Sequence, residues 1–359
     1  MTHRSEHRVD TSPTDRRTAL RIGAGVASML LLPAAGSAAD AVDAPRIRFL
    51  SADETRDALR HANDTYYADM ALREIRMRMN SPMTGTSLAD ARIAVRDFDV
   101  GAALDFTDEE RAAIRAILGR AQPVLQARAP LYARTPWSFI KTADRAEFGF
   151  AYTRGPHIVL PAADVTRLVA QHRAALAAGA SSAAAFGASL LVHEQTHVLQ
   201  RSSPARFELL FADVMGFIHA NPGPMTPWLD AQVVRNPDAP DLGWVMPLDK
   251  IGGSGWIMPL LAVRDVDVPR AESDFRSIGV DVEPAGSGWA VVLQDGRPRI
   301  RGLAAIPGYA RHFPFTDEFF HPNEIAAVML SHWILQDVPD LDGRPLIAQC
   351  EAWARSALA

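Results

Sequence analysis

The chain has 359 residues, of which 48% are hydrophobic and 22% are charged, a composition typical of a globular protein with a large core. Its 42 acidic residues outnumber its 37 basic ones, and the net charge of −5 argues against a nucleic-acid-binding protein, which would carry a basic surplus. The single cysteine, Cys350, excludes an intramolecular disulfide framework and a cysteine-based zinc cluster.

The first 39 residues have the layout of a secretory signal peptide. A polar start containing Arg16-Arg17 is followed by an apolar run over 22–35 and by small residues over 36–39. The arginine pair resembles a twin-arginine export signal. The apolar run is too short to span a bilayer of about 30 Å, and an uncleaved anchor is the alternative. We therefore expect the export machinery to recognise this segment, no stable membrane insertion after cleavage, and a periplasmic or secreted mature chain.

Two capping boxes mark helix starts in the N-terminal helical region, residues 40–130. Ser51 with Glu54 opens a helix predicted to reach residue 79, and Thr107 with Glu110 opens one that reaches about residue 123. Short β-type runs and then helices follow in residues 131–220. The predicted strands cover 137–140, 148–152 and 158–160, and the predicted helices cover about 162–178, 182–201 and a short segment from Pro204.

Proline and glycine become frequent in the next part of the chain. The segment 243–248 is echoed by 255–260, which predicts two similar strand entries, and Asp295-Gly296 lies between two β-type runs, as in a hairpin. We interpret this part as a β-rich insertion. The insertion is predicted to cover residues 221–314. A C-terminal region follows over 315–359, with helices predicted at about 322–335 and 346–358.

The sequence His193-Glu194-Gln195-Thr196-His197 is an H-E-x-x-H motif. On a helix the two histidines, four residues apart, share one face, so both imidazoles can bind one metal ion. Glu194 lies beside that face and can contact a water molecule on the metal without binding the metal itself. Two imidazoles on a buried helix face would be costly without a polar partner, and a metal ion supplies one. The motif therefore predicts a metal site with His193 and His197 as ligands.

A tetrahedral catalytic zinc site needs a third protein ligand and one open position. The extended motif with a third histidine six residues after the second is absent, because Ser203 occupies that position. Three carboxylates remain as candidates, and we favour the last of them. Pro322 can begin a helix just before it, and an acid buried beside apolar residues needs a cation to stay charged. The candidates are Glu208, Asp213 and Glu324.

These residues resemble those of the gluzincins, the thermolysin-like branch of zinc metallopeptidases. His193-Glu194-x-x-His197 followed by Asn323-Glu324 on a second helix matches a pattern in which the third ligand is the glutamate of an N-E sequence. The resemblance implies bound Zn²⁺, an α+β fold whose zincin-like catalytic region has a small sheet and active-site helices, a peptide or protein substrate, and Glu194 as general base. Residues 193–207, 236–238 and 321–324 also resemble uncharacterised secreted bacterial proteins.

The groups that support the ligands and the transition state are less clear from the sequence. Val328 stands where thermolysin-like helices carry an acid, so Asp213 is considered as the carboxylate that supports a ligand histidine. An oxyanion also needs a donor beyond the metal. The candidates for that donor are Tyr309, His312 and His332.

The favoured function is a secreted zinc-dependent hydrolase, specifically a metallopeptidase. One alternative is a catalytically inactive periplasmic metal-binding protein that keeps the ligands. Another is a zinc amidase or esterase acting on cell-envelope material, because the motif specifies an activated water and not the acyl group that it attacks. The choice between endo- and exo-cleavage depends on whether the cleft is closed at one end.

Overall fold

The structure is a computed structural model that describes residues 44–61, 65–220, 223–239, 241–316, 318–337 and 344–359. It is a mixed α/β fold with 51% helix, 19% strand and several sheets, in agreement with the expected class at that level. The predicted signal peptide and its cleavage site lie outside the described residues. Within these ranges, none of the helices combines the length with the apolar character that crossing a membrane requires.

Helices are distributed along the whole described chain, and strands concentrate in two sheets. The helices are α1 (Ala52–Arg60), α2 (Tyr66–Asp69), α3 (Leu72–Arg78), α4 (Leu88–Val100), α5 (Asp108–Arg128), α6 (Pro130–Arg134), α7 (Ala162–Ala177), α8 (Ala188–Ser202), α9 (Pro204–Leu209), α10 (Pro227–Asp230), α11 (Ala271–Asp274), α12 (Pro307–His312), α13 (Pro322–Leu335) and α14 (Pro345–Ala357). The strands are β1 (Ile47–Phe49), β2 (Ala103–Leu104), β3 (Trp137–Thr142), β4 (Tyr152–Arg154), β5 (His157–Pro161), β6 (Ile218–His219), β7 (Trp244–Pro247), β8 (Trp256–Val263), β9 (Phe275–Ala285), β10 (Gly288–Val291), β11 (Leu293–Gln294), β12 (Arg297–Pro298) and β13 (Ile300–Gly302).

The first sheet has the strand order β1-β3-β5-β4, with the short β2 added beside β3. Strands β1, β3 and β5 are parallel, whereas β4 runs antiparallel to β5 and forms an edge. Every residue of β3 is buried, as expected for a central strand covered on both faces. Trp137, Phe139, Ile158 and Leu160 pack in one core with Leu191 of α8. The sheet therefore supports the helix that carries the H-E-x-x-H motif.

The N-terminal helical region shares this core, since β1 belongs to the first sheet and α5 buries Ile114 in the same cluster. A buried ionic network also joins α2 and α3 to the segment after β3. Arg78 Nη1 and the Tyr66 hydroxyl both donate to Glu147 Oε2, at 2.5 and 2.6 Å, and Arg78 Nη2 donates to Glu74 Oε1 at 2.8 Å. Removing one partner would leave a buried, uncompensated charge. The network thus fixes the segment around Glu147 against the N-terminal helices.

The predicted β-rich insertion supplies most of a second, antiparallel sheet, with the order β10-β9-β8-β7-β6 and β13 beside β9. The two echoed segments form neighbouring strands, β7 and β8, with Met246 opposite Ile257. The hairpin β11–β12 turns at Asp295 and Gly296, whose φ angles of 52° and 75° are those of a two-residue type I′ turn. Both local predictions for this region are therefore confirmed.

The long helix predicted from Ser51 is divided into shorter ones. Its capping box is present, because Glu54 N donates to Ser51 Oγ and Ser51 N donates to Glu54 Oε2, but α1 ends at Arg60. Helices α2 and α3 are separated at Met70, which has an extended ψ of 133° and is fully buried in a small cluster with Ile75. Tertiary burial overrides local helix propensity at this point.

Two further element boundaries differ from the prediction. Helix α5 begins at the second capping box as expected but continues through Pro123 to Arg128. The strand predicted over 148–152 begins only at Tyr152, because Glu147 and Phe148 have φ angles of 45° and 57°, which no strand accommodates. A 3₁₀ turn replaces its first half.

The prediction of one continuous helix over 182–201 is wrong at Gly187. This residue has a φ of 91° and separates a 3₁₀ turn, Ala184–Phe186, from α8. A Cβ at position 187 would lie 2.8 Å from both Leu168 Cδ2 and Gln171 Oε1 of α7. Only glycine fits the left-handed backbone and this close approach together. The start of α8, the helix that carries the H-E-x-x-H motif, is therefore set by packing against α7.

We expect Gly187→Ala to lower the free energy of unfolding by about 1–3 kcal/mol, the usual cost of a strained φ for a residue with a side chain. A urea titration followed by circular dichroism measures the change. Gly119→Ala is the matched control, because Gly119 lies within α5 with nothing within 4 Å of its Cβ position. The free energy of unfolding of this control variant should increase by about 0.5–1 kcal/mol. Equal midpoint shifts in both variants would contradict this role of Gly187.

Candidate metal centre

The candidate centre lies between two antiparallel helices, α8 and α13. His193 and His197 are one turn apart on α8, and Glu324 is in the first turn of α13. Helix α13 begins as the sequence predicts, with Pro322 at its first position and the His321 side chain accepting a hydrogen bond from Asn323 N (3.1 Å). This N-terminal cap orients the first turn and so directs the glutamate towards α8.

The structure brings His193, His197 and Glu324 together. The two Nε2 atoms are 3.1 Å apart, and Glu324 Oε2 lies 3.5 Å from His193 Nε2 and 3.4 Å from His197 Nε2. Each residue offers one ligand atom, all within 4.8 Å of one another, so the group could hold a metal ion. The other two carboxylates considered, Glu208 and Asp213, are exposed and do not belong to it.

Gln200 determines which nitrogen of His197 is available. Its Nε2 donates to the carbonyl of Asn323 (2.9 Å), so its Oε1 is the atom that faces His197 Nδ1, at 2.8 Å. A carbonyl oxygen only accepts, and His197 Nδ1 must therefore carry the proton. In the neutral imidazole that a metal ligand requires, this places the lone pair of His197 on Nε2, towards His193 and Glu324. Gln200 thus prepares His197 as a ligand.

Asn236, from the β-rich insertion, orients Glu324. Asn236 Nδ2 donates to Glu324 Oε1 at 2.5 Å, which leaves Oε2 as the atom directed at the histidines. Asn236 Oδ1 accepts from Asp238 N (2.8 Å), and Asn323 Nδ2 donates to the Asp238 carbonyl (2.6 Å). The insertion is therefore part of the candidate centre and not only an appended domain.

The expectation that Asp213 supports a ligand histidine is wrong. Asp213 is exposed on the π-helical turn after α9, whereas His197 donates from Nδ1 to Gln200 Oε1, three residues further along the same helix. The i, i+3 spacing of these two residues was a local signal that could have identified Gln200. Asn236 and Asp238 had no such spacing signal, because they approach the centre from a distant part of the chain, and they stood out only within segment 236–238 of the resemblance to secreted bacterial proteins.

Glu194 is buried beside the ligands with an unsatisfied oxygen. The residue is 3% exposed, and its Oε2 has no hydrogen-bond partner in the part of the chain that the structure describes. Burial raises its pKa well above the ordinary value, and the carboxylates of Asp238, Glu324 and Glu318 raise it further against the opposing effect of His197. A buried carboxyl group without a partner is costly, so a bound molecule that hydrogen-bonds to Glu194 would relieve this cost.

The charges around the three possible ligands favour a cation. Burial alone would lower the pKa of His197, but the carboxylates of Asp238 and Glu324 raise it to about 10. Burial would raise the pKa of Glu324, yet the charge of His197 and hydrogen bonds from both histidines hold it well below its ordinary value. The centre therefore stabilises positive charge, and its donor set fits a divalent metal ion.

A cavity of about 800 Å³ opens from this group and is lined by both helices, by the segment from Asp144 to Tyr152 and by the segment from Pro314 to Glu318. Its lining includes Ser189, at the start of α8, and His332, near the end of α13. Asp337 joins these two, because its carboxylate accepts from Ser189 Oγ (2.7 Å) and lies 2.6 Å from His332 Nδ1.

Of the three residues considered as oxyanion donors, His332 lines the cavity and the other two do not. Tyr309 is buried, and its hydroxyl donates to the Phe319 carbonyl (2.8 Å). His312 Nε2 faces the Met215 carbonyl (3.3 Å). His332 donates Nδ1–H to Asp337, which leaves Nε2 as the ring nitrogen that can bind a molecule in the cavity.

Comparison with known protein families, curated proteins and solved structures finds no match to this chain.

Proposed function

We propose that this protein is a zinc-dependent metallopeptidase of the gluzincin type. The observation that carries the proposal is the group His193, His197 and Glu324, with the unpartnered Glu194 carboxyl beside it. Two imidazoles and one carboxylate are the donor set of catalytic zinc sites that keep one position open. A purely structural zinc site would be closed by a fourth protein ligand, and among the described residues the group has three.

Zinc held by His193, His197 and Glu324 would act as a Lewis acid that lowers the pKa of a bound water towards about 7 and polarises a carbonyl. Glu194 takes a proton from the attacking water at Oε2 and returns it to the leaving amine as general acid. Its burial and the surrounding carboxylates suit this role, because they raise its pKa towards that of a base active near neutral pH. His193 and His197 present Nε2, and Glu324 presents Oε2.

His332 is proposed to bind substrate within the cavity and not to donate to the oxyanion beside the metal, because eight residues of α13, about 12 Å of helix, separate it from Glu324. Asp337 fixes its ring through Nδ1, which leaves Nε2 as the nitrogen that can contact the substrate. The hydroxyl of Ser189 donates to Asp337 and not to His332. This order of contacts does not activate a serine nucleophile, which would need its hydroxyl on the histidine. It supports attack by water instead.

The unpartnered Glu194 oxygen favours turnover over the alternative of an inactive metal-binding protein, because a site that only stores metal has no need of a costly buried carboxyl. Periplasmic or secreted location is part of the proposal and rests on the sequence of residues 1–39.

Metal analysis of the purified protein, paired with digestion of a broad peptide library, tests the proposal. We expect about one zinc per chain, hydrolysis of peptides in the library, and loss of hydrolysis when a chelator removes the metal. Bound zinc without any peptide hydrolysis would reject the peptidase. In that case, hydrolysis of amide or ester bonds in cell-envelope material would assign the same centre to the envelope-directed alternative.

A further inference from the structure

The cavity follows the two helices of the candidate centre along their length. Helices α8 and α13 are antiparallel, because His197 faces Glu324 while Ser189 and His332 meet at Asp337. The lining includes α8 from Ser189 to His197 and α13 from Glu324 to His332. Eight residues of α13, about 12 Å of helix, separate Glu324 from His332. A substrate at the candidate metal ligands can therefore reach His332 by extending along the cavity.

A chain of hydrogen bonds holds the imidazole of His332 in place. Its Nδ1 lies 2.6 Å from Asp337 Oδ1, and the other oxygen of this carboxylate accepts from Ser189 Oγ at 2.7 Å. Because a carboxylate only accepts, His332 Nδ1 carries the proton. These bonds connect the last turn of α13 to the first turn of α8. The ring is therefore fixed by two helices, as a group that recognises a ligand must be.

The other ring nitrogen, Nε2, is available to a bound molecule. Among the described residues, His332 Nε2 has no hydrogen-bond partner, and the His332 side chain is 23% exposed and lines the cavity. In the neutral ring Nε2 carries the lone pair and accepts a hydrogen bond. A substrate carboxylate would instead need a second proton on the ring and would add negative charge near Asp337. The contacts of the ring therefore favour a hydrogen-bond donor on the substrate.

The helix surface between the ligands and His332 is largely apolar. Leu190 of α8 and Val328 of α13 line this part of the cavity, and neither side chain can form a hydrogen bond. Ser331 also lines it, but its hydroxyl already donates to the Val328 carbonyl at 3.0 Å. A short substrate that stops here would pack against apolar groups without reaching His332. The position of His332 therefore distinguishes long substrates from short ones.

We propose that His332 is a specificity-determining residue that accepts a hydrogen bond from a main-chain N–H of an extended peptide, about three or four residues from the cleaved bond. Each residue of an extended chain spans about 3.3 Å, so this number of residues covers the 12 Å of helix between Glu324 and His332. Successive N–H groups of such a chain point to opposite sides, so one of the two faces the ring. This inference rests on the proposed peptidase function and adds a minimum length to its substrate.

Peptides that share one cleavable bond test this inference with the zinc-loaded protein. One set is lengthened residue by residue towards the amino terminus and a second set towards the carboxyl terminus. In one of the two sets, kcat/KM should rise about 3- to 10-fold when the third or fourth residue is added, the scale of one hydrogen bond. His332→Ala should remove this step and change kcat/KM of the shorter peptides by less than about twofold. The exposed His61→Ala is the matched control that should keep the step.

Methylation of the amide nitrogen at the third and then at the fourth residue identifies the donor. One of the two changes should lower kcat/KM of the unmodified protein about 3- to 10-fold. The same change should alter kcat/KM of His332→Ala by less than about twofold, because the acceptor is already absent. Asp337→Ala should weaken the length step and also shift the NMR signals of the His332 ring nitrogens, because Nδ1 loses the acceptor of its proton.

The outcomes separate this inference from the proposed function. Hydrolysis without a length step, or with a step that survives in His332→Ala, would overturn the role of His332 and leave the metallopeptidase intact. A step that occurs only when the added residue carries a carboxylate would overturn the assignment of Nε2 as an acceptor. If no peptide is hydrolysed by the zinc-loaded protein, the proposed function and this inference both fail.

Discussion

Replacing Glu194 by glutamine is expected to lower kcat by at least about 100-fold, the usual contribution of a general base, while about one zinc per chain is retained. The amide has nearly the shape of the carboxyl group but cannot accept the proton of the attacking water. Glu194 is not among the three possible ligands, so the metal content should not change. Peptide hydrolysis and metal analysis of the same preparation measure the two effects.

The exposed Glu208→Gln provides a matched control for the chemical change, because it alters the same group outside the centre. Its activity and metal content should equal those of the unmodified protein. Full activity in Glu194→Gln would reject Glu194 as the general base and indicate a reaction that proceeds without it. Loss of zinc in Glu194→Gln would instead indicate that its carboxyl group contributes to metal binding.

Local signals in the sequence predicted the parts of the centre that depend on a single helix. His193 and His197 share a helix face because four residues make about one turn, and the structure places both on α8. Pro322 predicted the start of α13, and the helix begins there. These features follow from the backbone geometry of a few neighbouring residues, so no knowledge of the tertiary fold was needed.

The contacts that orient the ligands depend on the tertiary fold. Asn236 reaches Glu324 across 88 positions of sequence, and Asp238 reaches Thr153 across 85. Neither spacing produces a periodic pattern.

In the fold, too, features set by neighbouring residues were predicted and features set by distant contacts were not. Capping boxes and the Asp295-Gly296 turn are local and were predicted, whereas the parallel pairing of β1 with β3 joins residues 47–49 to residues 137–139. The break at Gly187 is also tertiary in origin, since it depends on side chains of α7 that approach the backbone. Local propensity indicated a continuous helix there, and close packing decided against it.

The second large effect is expected at Glu324. Glu324→Gln should lower zinc affinity by more than about 100-fold, because residues that merely support a ligand already contribute about 10- to 100-fold. The amide removes the negative charge that the two histidines face at 3.4–3.5 Å. Competition with a fluorescent zinc chelator measures the affinity. Circular dichroism checks that α13 is still folded, so that loss of the ligand is separated from unfolding.

A graded series makes the assignment of Glu324 falsifiable. Asn236→Ala removes the hydrogen bond that orients Glu324 and should weaken zinc binding by about 10- to 100-fold, as expected for a supporting residue. Glu208→Gln and Asp213→Asn alter exposed carboxylates and should leave the affinity unchanged. If either of these two variants loses zinc while Glu324→Gln keeps it, the third ligand is not Glu324 and the gluzincin assignment is wrong. If the loss of zinc affinity is largest for Glu324→Gln, smaller for Asn236→Ala and absent for the two exposed acids, the result supports Glu324 as the ligand and Asn236 as the residue that orients it.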